Sequence, residues 1–90
     1  MTAETLEIRR KRLVHRSLYT GMKETDLLLG AFARAHVVAF DDGQLDRYER
    51  LLEEPDPAIF AWAIGREEVP AEHDNDVMAL LRRFTRNHRP

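Results

Sequence analysis

The chain has 90 residues and a mass of 10.5 kDa, which suits one small domain with a modest hydrophobic core. Hydrophobic residues make up 43% of it and charged residues 33%, a balance that favours a folded domain over a disordered chain. The absence of cysteine excludes disulfides, thiolate metal ligands and cysteine nucleophiles. The sequence has neither an apolar run of membrane-spanning length nor the apolar segment of a secretory signal. We therefore expect a cytoplasmic protein that does not associate with membranes.

Charge is unevenly distributed along the chain, although the formal net charge is only −2. Residues 1–40 carry seven Lys and Arg against four acids, residues 41–76 carry three against twelve, and residues 77–90 carry four against none. A nucleic-acid-binding domain usually has a dominant basic face and a high pI, whereas the pI here is about 6.1. The composition therefore argues against nucleic acid as the partner.

The first half of the chain predicts two helices. Thr2 is expected to cap the first, and Gly21 to end it in a tight turn. The inward positions of this helix are Leu6, Leu13 and either Ser17 or Leu18. The second helix is predicted from Lys23 to about Val38. Because residues 27–32 are apolar around much of the circumference, we expect it to be the most buried helix, with Gly30 admitting a close neighbour.

Caps and apolar periodicity predict three more helices. Asp41 and Gln44 have the spacing of a capping box, Asp56 is expected to cap a short fourth helix ended by Gly65, and a fifth follows Pro70. The expected apolar, inward positions of these helices are Leu45, Tyr48, Leu51, Leu52, Ile59, Phe60, Trp62, Ala63, Ile64, Val77, Leu80, Leu81 and Phe84. No stretch alternates as a strand would. The predicted fold class is all-α, a compact five-helix bundle that forms a single domain over residues 1–90.

Catalytic and metal-binding patterns are missing from the sequence. The four histidines, His15, His36, His73 and His88, lack the spacing of a zinc motif, and we expect a solvated, weakly paired imidazole at His73. No phosphate loop, nucleophile elbow or catalytic dyad is present. The basic run of residues 9–12 is interpreted as a solvated helix face, with phosphate binding as the alternative. We therefore predict a protein that is not an enzyme and binds no metal.

Two interpretations of residues 16–26 stay open on the residues alone. In the first, Glu24 and Asp26 only cap the second helix at a structural corner. In the second, the corner recognises a partner, with apolar contacts from Tyr19 and Met22 and charged side chains around the bare backbone of Gly21.

The order of several short motifs resembles the flavinylation factors of succinate dehydrogenase. The matching residues are Lys11-Arg12-Leu13, Arg16-Ser17, Gly21-Met22-Lys23-Glu24, Asp26-Leu27-Leu28-Leu29 and Phe32-Ala33. The resemblance covers about residues 8–86, including the Asp56-Pro57 turn and Trp62. The hallmark of this family is R-G-x-x-E at the first helical corner, and here Thr20 replaces the arginine. Gly21 and Glu24 match this motif. Thr20 supplies neither the charge nor the paired N–H donors of the guanidinium that the family has at this position.

The resemblance implies an assembly factor rather than an enzyme. Its partner would be the flavoprotein subunit of succinate dehydrogenase, and in some members that of fumarate reductase. FAD would be bound by that flavoprotein and not by the factor, which would act as a monomer that promotes the self-catalysed covalent attachment of FAD. The expected partner-binding residues are Arg16, Ser17, Thr20, Gly21, Met22, Glu24 and Asp26. The alternative function is a small regulatory module that binds nucleic acid or a toxin through the basic first helix.

Overall fold

A computed structural model describes residues 4–87, which form five α-helices and, within that range, no strand. The helices are α1 (Leu6–Ser17), α2 (Lys23–Ala35), α3 (Asp42–Leu52), α4 (Asp56–Ala63) and α5 (Asp76–Asn87). Short 3-10 turns at Val37–Ala39 and Ala71–His73 follow α2 and precede α5. None of the helices in this part of the chain combines the length and apolar character needed to cross a bilayer. The predicted all-α class and the five helices are confirmed.

Local capping signals determine where two of the helices begin. The Thr5 hydroxyl accepts from the N–H of Ile8 at 3.2 Å and caps α1. The cap expected at Thr2 lies outside the described residues, as does His88. At α3, Oδ1 of Asp41 accepts from the N–H of Gln44 at 2.8 Å, and the Gln44 side chain accepts in return from the N–H of Asp41 at 3.1 Å. The predicted capping box is confirmed.

All five helices contribute to one core, in which aromatic rings surround Phe32. Its ring centroid lies 5.6–6.1 Å from those of Phe40, Tyr48 and Phe84. Trp62, only 7% exposed, belongs to the same core. The inward positions predicted for the third, fourth and fifth helices are buried, except for Phe60, Ile64 and Leu80, which are half-buried. The 3.6-residue period of the sequence was sufficient to find them.

The second helix is less buried than the sequence suggested. It buries a stripe that includes Leu29, Phe32 and Ala33 against α1, α4 and α5, while Leu27 faces outward and is 67% exposed. The helix ends at Ala35 rather than Val38, because the chain tightens into the 3-10 turn. Gly30 does admit a close neighbour, since an added Cβ would lie 2.7 Å from Cδ2 of Leu18.

Arginines of α1 form an ion-pair network with carboxylates that lie mostly on α3. Arg9 bonds Asp46 at 2.5 Å and Glu49 at 3.2 Å, and Arg12 bonds Glu49 at 3.0 Å and Glu4 at 2.8 Å. Bonds from Arg9 and Arg12 keep the pKa values of Glu4, Asp46 and Glu49 below their usual range.

The basic run of residues 9–12 is therefore not simply a solvated face. Besides the two arginines paired with acids, Arg10 donates from Nε to the carbonyl of Phe40 at 2.8 Å. Lys11 is exposed and has only a loose pair with Glu7 at 3.6 Å. The interpretation as a solvated face was wrong for Arg9 and Arg10, which are half-buried because the acidic surface of α3 and the carbonyl of Phe40 lie within their reach, whereas Lys11 and Arg12 are exposed.

Ser17 and Tyr48 form a buried polar link between α1 and α3. Their hydroxyl oxygens lie 2.5 Å apart, both residues are fully buried, and Oγ of Ser17 also donates to the carbonyl of Leu13 at 2.7 Å. Since that donation uses the proton of Ser17, the Tyr48 hydroxyl donates to Ser17. Burial raises the pKa of Tyr48 above its usual range.

The ion-pair network predicts a loss of stability in acid. Groups whose pKa is lowered on folding contribute stability above their unfolded pKa, about 4, and lose it as the pH falls through the folded pKa. We expect the thermal midpoint to fall between about pH 5 and pH 2. Arg9→Met should reduce that fall, whereas Arg66→Met, at an exposed arginine outside the network, should leave it unchanged. An identical fall in wild type and Arg9→Met, followed by circular dichroism, would contradict the assignment.

Removing the Ser17 hydroxyl should reduce the unfolding free energy more than removing the Tyr48 hydroxyl. Ser17→Ala leaves a buried phenol without its acceptor and should cost about 1–3 kcal/mol of unfolding free energy. Tyr48→Phe leaves Ser17 bonded to Leu13 and should cost less, about 0.5–1.5 kcal/mol. Urea denaturation measures both, and equal costs would show that the phenol finds another partner.

Candidate functional site

The turn between α1 and α2, residues 18–22, is called here the α1–α2 corner. Gly21 has a φ of +117°, a conformation that residues with a side chain rarely adopt. A Cβ atom added to it would lie 3.2 Å from Oδ2 of Asp56. The glycine expected at this turn is therefore required by the backbone conformation and by the packing.

Two aspartates hold the α1–α2 corner to the rest of the bundle. The hydroxyl and the backbone N–H of Thr20 both donate to Oδ1 of Asp26, in the first turn of α2, at 2.5 Å. The backbone N–H of Met22 donates to Oδ2 of Asp56, the first residue of α4, at 3.0 Å. The backbone is thus bonded to α2 and to α4 on the two sides of Gly21.

These bonds favour the charged form of Asp26. The Thr20 hydroxyl, the Thr20 N–H and the Gly21 N–H keep the pKa of Asp26 below its usual range. Asp26 therefore remains an acceptor at neutral pH. Thr20 is the residue that departs from the family motif, and its hydroxyl is occupied by the bond to Asp26.

A cleft of about 220 Å³ opens beside the corner, between α1, the end of α3 and the start of α4. It is lined by Arg16, Tyr19, Thr20, Leu52 and Asp56. Nη2 of Arg16 donates to the carbonyl of Leu52 at 3.2 Å, which holds the guanidinium over the end of α3. Tyr19 is 71% exposed, so its ring is available for contact with another molecule.

Six of the seven expected partner-binding residues lie on or beside this surface. Gly21 and Glu24 are exposed, and the half-buried members are Arg16, Thr20, Met22 and Asp26. Within residues 4–87, Glu24 has no hydrogen-bond or ion-pair partner, so its carboxylate is available. The seventh residue, Ser17, is fully buried against Tyr48 and cannot reach a partner in this conformation.

Asp56 is the residue of this surface that the sequence did not reveal. It was expected to cap α4, but its side chain makes no capping bond there, and Pro55 is the N-cap. Its carboxylate accepts instead from Met22, 34 positions earlier in the sequence. The Asp56-Pro57 turn belonged to the family resemblance, which was the available signal, yet its local interpretation as a cap was wrong.

The histidine that was expected to be solvated is buried. His73 is 6% exposed, its ring lies 5.4 Å from that of Trp62, and its Nε2 lies 2.8 Å from Glu54. The 3-10 turn at Ala71–His73 places the ring against the indole, which the sequence position did not indicate. Glu72 brings a third potential ligand atom within 4.8 Å of the other two. Because His73 is already bonded to Glu54, we interpret the group as structural, and the absence of a bound metal stays a prediction.

The geometry suits recognition of a protein surface better than chemistry on a small molecule. The turn, which is fixed by hydrogen bonds, carries the exposed Tyr19 ring and the bare backbone of Gly21, and the exposed Glu24 carboxylate follows in the first turn of α2. Rigid presentation lowers the entropy lost on binding. Apolar contact from the ring and charge from the carboxylate can then select one partner.

Comparison with known proteins gives a match over most of the chain. A family model described as flavinator of succinate dehydrogenase matches residues 11–85. The chain is 40% identical over 82 residues to the mitochondrial succinate dehydrogenase assembly factor 2 of Dictyostelium discoideum, covering 91% of this chain and 58% of that protein. It is 41% identical over 86 residues to the protein of the same name from Aedes aegypti, covering 93% and 53%. For the Danio rerio protein of that name, identity is 38% over 86 residues, covering 93% and 54%.

These matches correct one expectation and agree with others. The chain spans little more than half the length of these three relatives. All of them are named as mitochondrial proteins, so the expected cytoplasmic location is wrong. The absence of cysteine and of an apolar run, on which that expectation rested, does not distinguish the two compartments. These three relatives are named as assembly factors, and their names give no support to the nucleic-acid or toxin-binding alternative. The chain belongs to the family of flavinators of succinate dehydrogenase.

Proposed function

We propose that this chain binds the flavoprotein subunit of succinate dehydrogenase and promotes the covalent attachment of FAD to it. Membership of the flavinator family carries this proposal, because the match includes residues 11–85 and therefore the whole α1–α2 corner. The free carboxylate of Glu24 and the exposed ring of Tyr19 support it, since both are available for contact. The chain acts as a monomer and leaves FAD to its partner.

Promotion of flavinylation needs no catalytic group on this chain. Covalent attachment joins a flavin methyl carbon to a histidine of the partner, and it requires that the two be aligned. A factor that binds the aligned conformation of the flavoprotein more tightly than others increases its population. The histidine and the flavin are then aligned when the factor binds, so less orientational entropy is lost in the reaction step itself. A rigid corner is well suited to this role, because a flexible one would adapt equally to both conformations.

The corner is proposed to contact the flavoprotein through Gly21, Met22 and Glu24, with Arg16 and Tyr19 beside them. Thr20 and Asp26 hold the turn in the shape that the partner meets. Ser17 contributes through the stability of α1 and not through contact. The missing arginine at position 20 leaves Arg16 as the nearest guanidinium in the cleft.

The proposal predicts that Glu24→Gln weakens binding with an unchanged thermal midpoint, whereas Gly21→Val weakens binding and also lowers the midpoint. Gly21→Val places bulk at a positive φ and against Asp56, and Glu24→Gln removes a charge while keeping the shape. If Glu24 meets a cation in a desolvated contact, its loss should cost about 2–5 kcal/mol of binding. Thr20→Arg keeps the backbone bond to Asp26, loses the hydroxyl bond and supplies a guanidinium. Binding should therefore be unchanged or stronger, while the thermal midpoint should fall because of the lost hydroxyl bond.

The measurements are the affinity for the flavoprotein by calorimetry, the yield of covalent FAD in cells lacking the natural factor, and the thermal midpoint. Glu67→Gln, at an exposed glutamate outside the corner, is the matched control and should change neither affinity nor yield. The flavoprotein of fumarate reductase serves as the comparison partner. Folded Gly21→Val and Glu24→Gln variants with unchanged flavinylation would show that the corner is only structural.

A further inference from the structure

A second concave surface of the described residues is a groove along α1. It has a volume of about 550 Å³ and runs between α1 and the 3-10 turn after α2. Its lining consists of Glu7, Arg10, Lys11, Val14, His15, Leu18 and Val38. None of these residues is among the expected partner-binding positions.

The groove combines an apolar surface with basic side chains. Val14, Leu18 and Val38 supply the apolar part, and Val38 is 50% exposed although it follows a well-packed helix. Lys11 is exposed, and among residues 4–87 its one ion pair is the loose one with Glu7. Such a lining complements a segment that carries both apolar and acidic side chains, because each class of side chain meets its counterpart.

The groove is continuous with the corner cleft through a pair of rings. Tyr19 lines the cleft, His15 lines the groove, and their ring centroids lie 5.1 Å apart. A partner that covers the exposed Tyr19 ring therefore comes within reach of His15 at the edge of the groove.

We propose that this groove receives an acidic segment of the partner flavoprotein that carries apolar side chains, so that the binding surface extends from the corner across Tyr19 into the groove. The proposal rests on the proposed function, because it assigns a second contact to the same partner. The apolar side chains of the segment pack on Val14, Leu18 and Val38, and its carboxylates meet Arg10 and Lys11. Glu7, the one acid among the described lining residues, opposes this contact.

The groove predicts changes of affinity in opposite directions. Lys11→Glu should weaken binding of the succinate dehydrogenase flavoprotein about fivefold to tenfold, mainly through slower association. Glu7→Lys should strengthen binding about threefold, a gain that damage to the fold cannot produce. Val38→Ser should weaken it about threefold by removing apolar contact. Arg66→Glu makes the same charge reversal at an exposed arginine outside both concave surfaces and should leave affinity unchanged.

Surface plasmon resonance at two salt concentrations, with sedimentation velocity of each variant, separates the possible outcomes. Wild type that fails to bind the flavoprotein overturns the proposed function and this inference with it. Wild type that binds, together with groove variants within twofold of it, overturns the groove alone and leaves the function standing. Groove variants that change only self-association would assign the groove to a second copy of the chain and also overturn the inference. The expected pattern is one gain, two losses and a weaker salt dependence in Lys11→Glu.

Discussion

The hydrogen bond from the backbone of Met22 to the carboxylate of Asp56 is the interaction on which the functional surface depends. It joins the turn after α1 to the start of α4, which the sequence separates by more than thirty residues. The bond is available because Gly21, at a φ of +117°, has no side chain to separate the turn from that carboxylate. Thr20 and Asp26 complete the restraint on the other side of the glycine. A turn on the surface of a small bundle thus has little of the freedom that loops usually have.

The rest of the bundle supports that restraint by fixing α1. The buried Ser17–Tyr48 link and the arginine ion pairs both attach α1 to α3, one in the core and the other at the surface. The same ion pairs neutralise much of the positive charge of α1, because carboxylates of this chain lie next to Arg9 and Arg12. The exposed side chains nearest the corner are those of Tyr19, Lys23 and Glu24, and Lys11 is exposed further along α1.

Patterns that are local in sequence predicted most of the fold. The capping box at Asp41 and the apolar spacing from Val77 to Phe84 each involve residues within two turns of a helix, and both were found correctly. Contacts between distant residues were not predictable in this way. Asp56 was assigned to its own helix, and His73 was expected to be solvated, because each has its true partner in another element. The exposure of Leu27 was missed for the same reason, since an apolar run does not tell which side of a helix lacks a neighbour.

Amide hydrogen exchange at Met22 in the free chain tests most directly whether the corner is held before any partner arrives. The account predicts slow exchange in wild type and about tenfold faster exchange in Asp56→Ala, because loss of a hydrogen bond worth about 1.5 kcal/mol opens the amide to solvent. Asp56→Asn, which keeps an acceptor oxygen, should lie between the two, and core amides such as that of Phe32 should not change. Fast exchange of the Met22 amide in wild type, equal to that in Asp56→Ala, would show that the corner is mobile and would contradict the account.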